Sequence, residues 1–241
     1  MDSIPKIVYI DEPFKIDDLP LKNIYVLDNW LSSPLHQYYD TQISRANFWS
    51  KGNEVRGDSP TGLPHHQFWG TSILSGYDNR KQPKIAEDLE REFAYFPKYL
   101  NTRLQHEFQF KWERFQYMGL NSQTQGLHGT CHQDCQDEDA WNLSFLYYTN
   151  KFWEDGWGGD LRFYTTQEEG IHARDNNEEF ASVQFKPNRL IMFDGRIPHG
   201  ADAPDPSARF MDRRSLVIRG DEVRLTDTEE NYDANDRLSY L

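Results

Sequence analysis

Apolar positions along the chain follow two rhythms that change near residue 108. Before it, Ile7 to Ile10 and Ile24 to Leu27 are short apolar runs bounded by Pro and Asp, which predicts two strands. Ser32-Ser33-Pro34 then offers a cap and a first-turn proline, so Leu35 to Ser44 is expected to be a short helix. From about Pro83 to Glu107, Ile85, Leu89, Phe93, Phe96, Leu100 and Leu104 recur at steps of three and four, opposite a charged face. That spacing predicts a long amphipathic helix, kinked after Phe96-Pro97. Lys51 to Gly76, rich in Gly, Pro and polar residues, reads as a long loop anchored by Phe68 and Trp69.

Beyond Phe108 the rhythm shortens. Phe108 to Met118, Asn142 to Thr149, Asp160 to Tyr164, Ser182 to Phe185, Leu190 to Phe193 and Ser215 to Arg219 are aromatic or β-branched runs separated by turn residues. Such a series predicts a sandwich or barrel. In the first run the alternation changes phase, which places a bulge near Glu113 or Arg114. Gly158-Gly159 reads as a turn needing positive φ. The fold class is therefore mainly β with supporting helices. A single domain is expected over 1–241: N-terminal strands, helices and loop in 1–106, a β core in 107–220 and a loose acidic tail in 221–241.

Composition narrows the function. The 241 residues carry a formal charge of −13, which argues against a general nucleic-acid binder or an anionic-membrane binder. Aromatics make up 15% of the chain, enough large rings to argue against disorder of the body. The 2 cysteines, Cys131 and Cys135, supply neither a disulfide framework nor a four-cysteine zinc site. With no signal-like start and no apolar run of membrane-spanning length, a cytoplasmic, reducing setting is expected.

Candidate chemistry lies in the strand-rich half. His132 and Asp134 are two positions apart, so on an extended chain their side chains leave the same face and can meet one ion. His199 follows the hydrophobic run Leu190 to Phe193. Two histidines and a carboxylate form the facial triad of non-heme Fe(II) oxygenases. The same ligand types also suit a zinc hydrolase, but no His-Glu-x-x-His helix supplies a general base. Arg213, with Ser215 two positions on, offers a planar fork for a carboxylate. Cys131, adjacent to His132, should turn to the opposite face as a packed thiol, and His65-His66 are left outside the site because adjacent residues on an extended chain diverge. Asn142-Leu143-Ser144 matches a glycosylation acceptor but falls on an expected core strand.

The segment Asn121 to Asp134 resembles the first metal-ligand region of 2-oxoglutarate- and Fe(II)-dependent dioxygenases of the prolyl 4-hydroxylase type. The resemblance continues in Ser144 to Asn150, Trp157 to Tyr164 and Lys186 to Asp194, and closes in Ile197-Pro198-His199 with Arg213 to Leu216. It covers about half the chain, with the motifs in order. It implies a double-stranded β-helix, a jelly-roll of the cupin-like kind, with His132, Asp134 and His199 as iron ligands. It also implies that Arg213 grips the distal carboxylate of 2-oxoglutarate, assisted by Tyr148 and Ser215, while Gln123 and Asn121 line the co-substrate or substrate mouth. The family pattern of arginine, any residue, then Ser or Thr selects Arg213 over Arg209 and Arg214, and alternation would send Arg214 outward. The implied cofactors are Fe(II), 2-oxoglutarate and O2, with ascorbate as an auxiliary reductant. The implied reaction is hydroxylation of a prolyl residue in a protein or peptide, with release of succinate and CO2. A free amino acid or other small molecule is the alternative substrate. A non-catalytic jelly-roll binding module is the alternative from another class, and neither nucleic acid nor membrane is expected as a partner.

Overall fold

Among the described residues of the computed structural model, two sheets face one another and two helices back the larger sheet. The structure describes residues 4–46, 49–54, 67–75, 84–85, 95–135, 141–166 and 177–226. In chain order the elements are β1 (Ile7–Ile10), β2 (Ile24–Leu27), α1 (Ser33–Arg45), β3 (Ser50–Glu54), β4 (Gln67–Ser75), β5 (Lys84–Ile85) and α2 (Tyr95–Glu107). There follow β6 (Phe110–Gln123), β7 (Asn142–Tyr148), β8 (Leu161–Tyr164), β9 (Glu179–Val183), β10 (Leu190–Phe193), β11 (His199–Ala201) and β12 (Arg213–Leu225). The large sheet runs β1-β2-β10-β7-β12-β6-β4-β3 with β5 on β4, and the small sheet runs β11-β8-β9.

From β6 onward the chain crosses repeatedly between the sheets. β6, β7, β10 and β12 lie in the large sheet, β8, β9 and β11 in the small one, and His132 joins the latter by an antiparallel bridge to His199. That winding is the double-stranded β-helix, or jelly-roll. Strands buried on both faces read as continuous apolar runs, and β7 and β10 are buried at every position. One face of the large sheet contributes Phe145, Tyr147, Met192, Leu216 and Ile218 to a core shared with Ile43 of α1 and Leu100 and Leu104 of α2. The other face sends Leu146, Tyr148, Ile191 and Phe193 against Leu161, Phe163 and Val183 of the small sheet.

The helices dock through polar as well as apolar groups. Buried residues of α1 are His36, Tyr39, Asp40 and Ile43, a helical stripe with a histidine and an aspartate in it, which is why its hydrophobic signal is modest. Pro34 sits in the first turn as expected, whereas the Ser32 side chain makes no capping bond. Asp40 accepts from Arg214 Nη2 at 2.7 Å, and the His36 ring joins the Tyr147 hydroxyl and, at 2.9 Å, the Asn150 carbonyl. On α2, Glu107 accepts from Trp30 Nε1 at 2.6 Å and from Arg103 Nε at 2.7 Å.

Burial pushes the His36 pKa below its usual 6.5, and Arg214 adds to this, against partial opposition from the Asn150 carbonyl and Asp40. In the unfolded chain the ring takes a proton near pH 6.5 while the folded ring still resists, so this contribution to stability is lost as pH falls below that value. His36→Gln is expected to lower the urea midpoint at pH 7 and to flatten its decline toward pH 5.5, by at most about 1.4 kcal/mol per pH unit. An unaltered slope would show that His36 does not titrate on unfolding.

Several sequence expectations shift. The stretch read as a loop over residues 51–76 holds β3 and β4 among its described residues. These pair through backbone near the end of the sheet, so polar composition does not forbid them. The long helix is realised from Tyr95. Lys84–Ile85 instead pair with Leu74 and Ser75, and 86–94 lie outside the described residues. Pro97 therefore falls in a first turn, where its missing N–H costs nothing, rather than at a kink. β9 lies earlier than its predicted run, β11 was not predicted, and β12 extends through Leu225 into the stretch read as tail, leaving 227–241 outside the described residues. The register shift of β6 falls between Tyr117 and Phe115, opposite Arg219 and Gly220, a little beyond the position expected. Gly158 and Gly159 adopt the expected positive φ, 67° and 84°, but the turn falls earlier, at Asp155 and Gly156, and Gly158 pairs with Pro204 in a β-bridge.

Candidate active site

His132 and His199 face each other across the bridge and exchange both backbone hydrogen bonds at 2.9 Å. Their ring centroids are 4.5 Å apart. Each Nδ1 lies 2.9 Å from a carbonyl two residues earlier, that of Thr130 for His132 and of Ile197 for His199. Nδ1 is thus the donor nitrogen of each ring, which makes Nε2 the atom placed to bind a metal. The Asp134 carboxylate comes within 3.6 Å of His132 Nε2 and 3.7 Å of His199 Nε2. One ligand atom from each residue lies within 4.8 Å of the others.

The carboxylate side chain is only 1% exposed, and both oxygens have donors. Ser144 Oγ donates to Oδ2 at 2.7 Å, and Arg219 Nη1 donates to Oδ1. Burial alone would raise the Asp134 pKa, but Arg219 and the two histidines outweigh it and hold the group well below the usual carboxylate range. Burial, aided by the nearby His132, pushes the His199 pKa down to about 4. An ionised carboxylate and a neutral imidazole are the forms that bind a divalent metal. Two imidazoles and one carboxylate on adjoining strands fit a first-row metal that keeps open positions.

A second charge centre sits on β12. Arg213 is 1% exposed, and every acceptor it reaches is neutral. Nε donates to the Gly159 carbonyl at 2.6 Å, Nη1 to Gln123 Oε1 at 2.8 Å and to Ser215 Oγ at 3.4 Å, and Nη2 to the Tyr148 hydroxyl at 3.3 Å. Tyr148 and Phe185 lie against its planar group, with centroids at 4.9 and 5.2 Å. A guanidinium so buried, with no facing carboxylate among the described residues, would be stabilised by an incoming anion, because a buried charge costs several kcal/mol unless it is paired.

The structure separates the three arginines. Arg214 lies on the opposite face of β12 and is buried against Asp40 rather than sent outward. Arg209 is exposed in a turn with φ of 49°. Gln123, Tyr148 and Ser215 converge on Arg213 as expected, while Asn121 faces Ser215 across the β6–β12 ladder. Cys131 and Cys135 are buried thiols in no disulfide, and neither belongs to the histidine–carboxylate cluster. Asn142 and Ser144, of the apparent glycosylation triplet, are buried on β7. His65 and His66 lie outside the described residues. Arg219 and Ser144 were not anticipated as partners of Asp134. The signal for Arg219 was present, since strand alternation puts Arg213, Ser215, Val217 and Arg219 on one face.

Residues 117–218 match the family model described as the 2OG-Fe(II) oxygenase superfamily. His132, Asp134, His199, Arg213 and the three side chains around that arginine all fall within this span. No curated protein matches the chain. Among solved structures it is similar to a Pseudomonas putida prolyl-4-hydroxylase, at 18% identity and a TM-score of 0.49, covering 82% of this chain and 92% of that one. It is also similar to a prolyl hydroxylase from Trichoplax adhaerens solved with a hypoxia inducible factor peptide fragment, at 16% identity and a TM-score of 0.45, covering 85% and 83%. A third is a 2OG-Fe(II) oxygenase family oxidoreductase from Burkholderia pseudomallei, at 13% identity and a TM-score of 0.48, covering 82% and 84%. The match over 117–218, which contains the histidine–carboxylate cluster, makes that span similar to the 2OG-Fe(II) oxygenase superfamily and supports a dioxygenase that uses Fe(II), 2-oxoglutarate and O2.

Proposed function

We propose that His132, Asp134 and His199 hold the iron, that Arg213 receives the distal carboxylate of 2-oxoglutarate, and that the enzyme hydroxylates a prolyl residue of a protein or peptide. The observation that carries the assignment is the Arg213 seat, a buried guanidinium surrounded by neutral acceptors on the strand whose same face carries Arg219, the partner of Asp134. The prolyl reading is supported by the ordered motifs between Asn121 and Leu216, which resemble those of prolyl 4-hydroxylases.

When bound, the iron and 2-oxoglutarate supply the oxidation, in which O2 is consumed, the co-substrate leaves as succinate and CO2, and one oxygen atom enters the substrate C–H bond. The chain supplies geometry and charge. The Thr130 and Ile197 carbonyls fix the two imidazoles, and Ser144 and Arg219 keep Asp134 oriented and ionised. Asp134 also bears on the outcome, since a small residue in its place would open a position for halide. Phe193 and Phe163 pack beside the His199 ring at 4.7 and 6.3 Å and exclude water behind it. Arg213 and the Tyr148 hydroxyl orient the far end of the co-substrate, so that its keto acid end is presented to the histidine–carboxylate cluster.

Anaerobic addition of Fe(II) and 2-oxoglutarate should produce a visible charge-transfer band. In air, proline-containing peptides should then stimulate succinate release while free amino acids do not. Stimulation by free amino acids alone would reject the peptide assignment while leaving the oxygenase intact.

A further inference from the structure

One neighbour of Arg213 is a side chain whose own orientation is forced. The Gln123 amide nitrogen faces the Leu127 carbonyl at 2.9 Å and the Ala201 and Asp202 carbonyls at 3.4 Å each. Turned over, the amide would set its oxygen against three carbonyl oxygens, with no donor for any of them. The oxygen is therefore aimed at Arg213 Nη1, 2.8 Å away. Both side chains are 1% exposed, and the two residues are direct partners across the β6–β12 ladder. On the adjacent edge Gly159, at φ 84°, brings its carbonyl to Nε at 2.6 Å, and a Cβ there would lie 3.1 Å from Arg213 Cδ. Rotation of the guanidinium is thus stopped by Gln123 and Gly159, and its remaining edge meets the more distant Tyr148 hydroxyl at 3.3 Å.

A carboxylate at position 123 would be the simplest internal partner for so deeply buried a cation. The chain places the neutral isostere there instead. We propose that Gln123 is a positioning residue for co-substrate binding: its oxygen fixes the Arg213 guanidinium, and its lack of charge leaves that cation unneutralised for the carboxylate of an incoming dicarboxylate. This rests on the assignment of Arg213 as the carboxylate anchor. Gln123 acts through Arg213. Its hold on the Ala201 and Asp202 carbonyls also ties the anion seat to the end of β11, the strand that begins at His199.

The test compares Gln123→Glu with Gln123→Met, each checked for a cooperative thermal transition. Affinity for 2-oxoglutarate is read from the anaerobic charge-transfer band, and affinity for glutarate from the thermal shift of the metal-free protein. The glutamate variant should bind both dicarboxylates at least about thirtyfold more weakly, because its charge competes for Arg213. The methionine variant, which loses the hydrogen bond but keeps the cation available, should lose about fivefold, and Fe(II) affinity should change less than about twofold in both. A purely packing role predicts that methionine, which forfeits the acceptor and the donors together, does at least as much harm as glutamate. That ranking, or glutamate binding within about threefold of the parent, overturns the proposal. If the glutamate variant does not fold, methionine decides alone: a fivefold loss with Fe(II) affinity retained supports the role, and unchanged dicarboxylate affinity overturns it. Arg213→Ala distinguishes the two levels. Unchanged affinity there removes the anchor assignment itself, whereas a large loss there beside a normal Gln123→Glu removes only the role of Gln123.

Discussion

Replacing Arg213 with alanine should weaken 2-oxoglutarate binding by about 100-fold or more, about 3 kcal/mol, while the chain still folds. Arg213 is 1% exposed and has only neutral partners, so its removal breaks no internal ion pair and strands no carboxylate. The neighbouring Arg214→Ala should do the reverse. Asp40, 3% exposed, would lose the guanidinium that contacts it at 2.7 Å, and leaving a buried charge unpaired costs about 3–5 kcal/mol. For a chain of this size that is a fall in melting temperature of about 6–20 °C. The folded fraction of Arg214→Ala should still bind 2-oxoglutarate within about threefold of the parent, since the side chain lies on the helix-facing side of β12. Titration of the co-substrate against both variants, with melting curves alongside, reads the two effects separately. If Arg214→Ala abolishes binding at normal stability while Arg213→Ala binds normally, the anchor has been placed on the wrong arginine.

Adjacent arginines with opposite duties show where the sequence is informative. Alternation along an extended chain assigns them to opposite faces, and the Arg-x-Ser spacing is what singles out Arg213 as the proposed co-substrate anchor. What Arg214 meets there could not be read, because Asp40 belongs to a helix 174 positions away and burial of an aspartate leaves no trace in a hydrophobic period. The same limit applies to Asp134, whose position two residues from His132 was legible and whose pairing with Arg219 was not. Continuous apolar runs such as Leu190 to Phe193 marked strands buried on both faces with correct bounds. β3, of sequence Ser-Lys-Gly-Asn-Glu, and the short β11 carry almost no apolar signal, since they are fixed by backbone pairing to strands far away in sequence. The start of the helix before the core was misread at Ile85, which keeps a helical step with the residues that follow but is drawn into a strand pair with Leu74, while Leu89 and Phe93 lie outside the described residues. Tertiary pairing outweighs a local propensity of a few tenths of a kcal/mol per residue.

Asp134→Asn should abolish metal uptake while costing the metal-free protein little. The isosteric amide can still accept from Ser144 at the Oδ2 position, and Arg219, with 23% of its side chain exposed, can turn its charge toward water, so the direct loss should be about 1–2 kcal/mol. Metal affinity is another matter, because the carboxylate is the anionic ligand of the cluster, and both histidines are held by backbone carbonyls at Nδ1 and bind a metal as neutral imidazoles. Manganese(II) added anaerobically at about 100 times its dissociation constant should stabilise the parent by about 2.7 kcal/mol, which is about 5–10 °C in melting temperature. The same concentration should leave Asp134→Asn and His199→Ala unmoved. Cys131→Ser is the informative companion, because Cys131 adjoins His132 in sequence and a thiolate would be an obvious competing ligand. Its sulfur lies 3.7 Å from the Thr166 carbonyl, and the residue stands outside the histidine–carboxylate cluster. Cys131→Ser should therefore keep the full metal-induced shift, whatever it costs in packing. A shift that survives in Asp134→Asn, or disappears in Cys131→Ser, would place the metal on a different set of side chains.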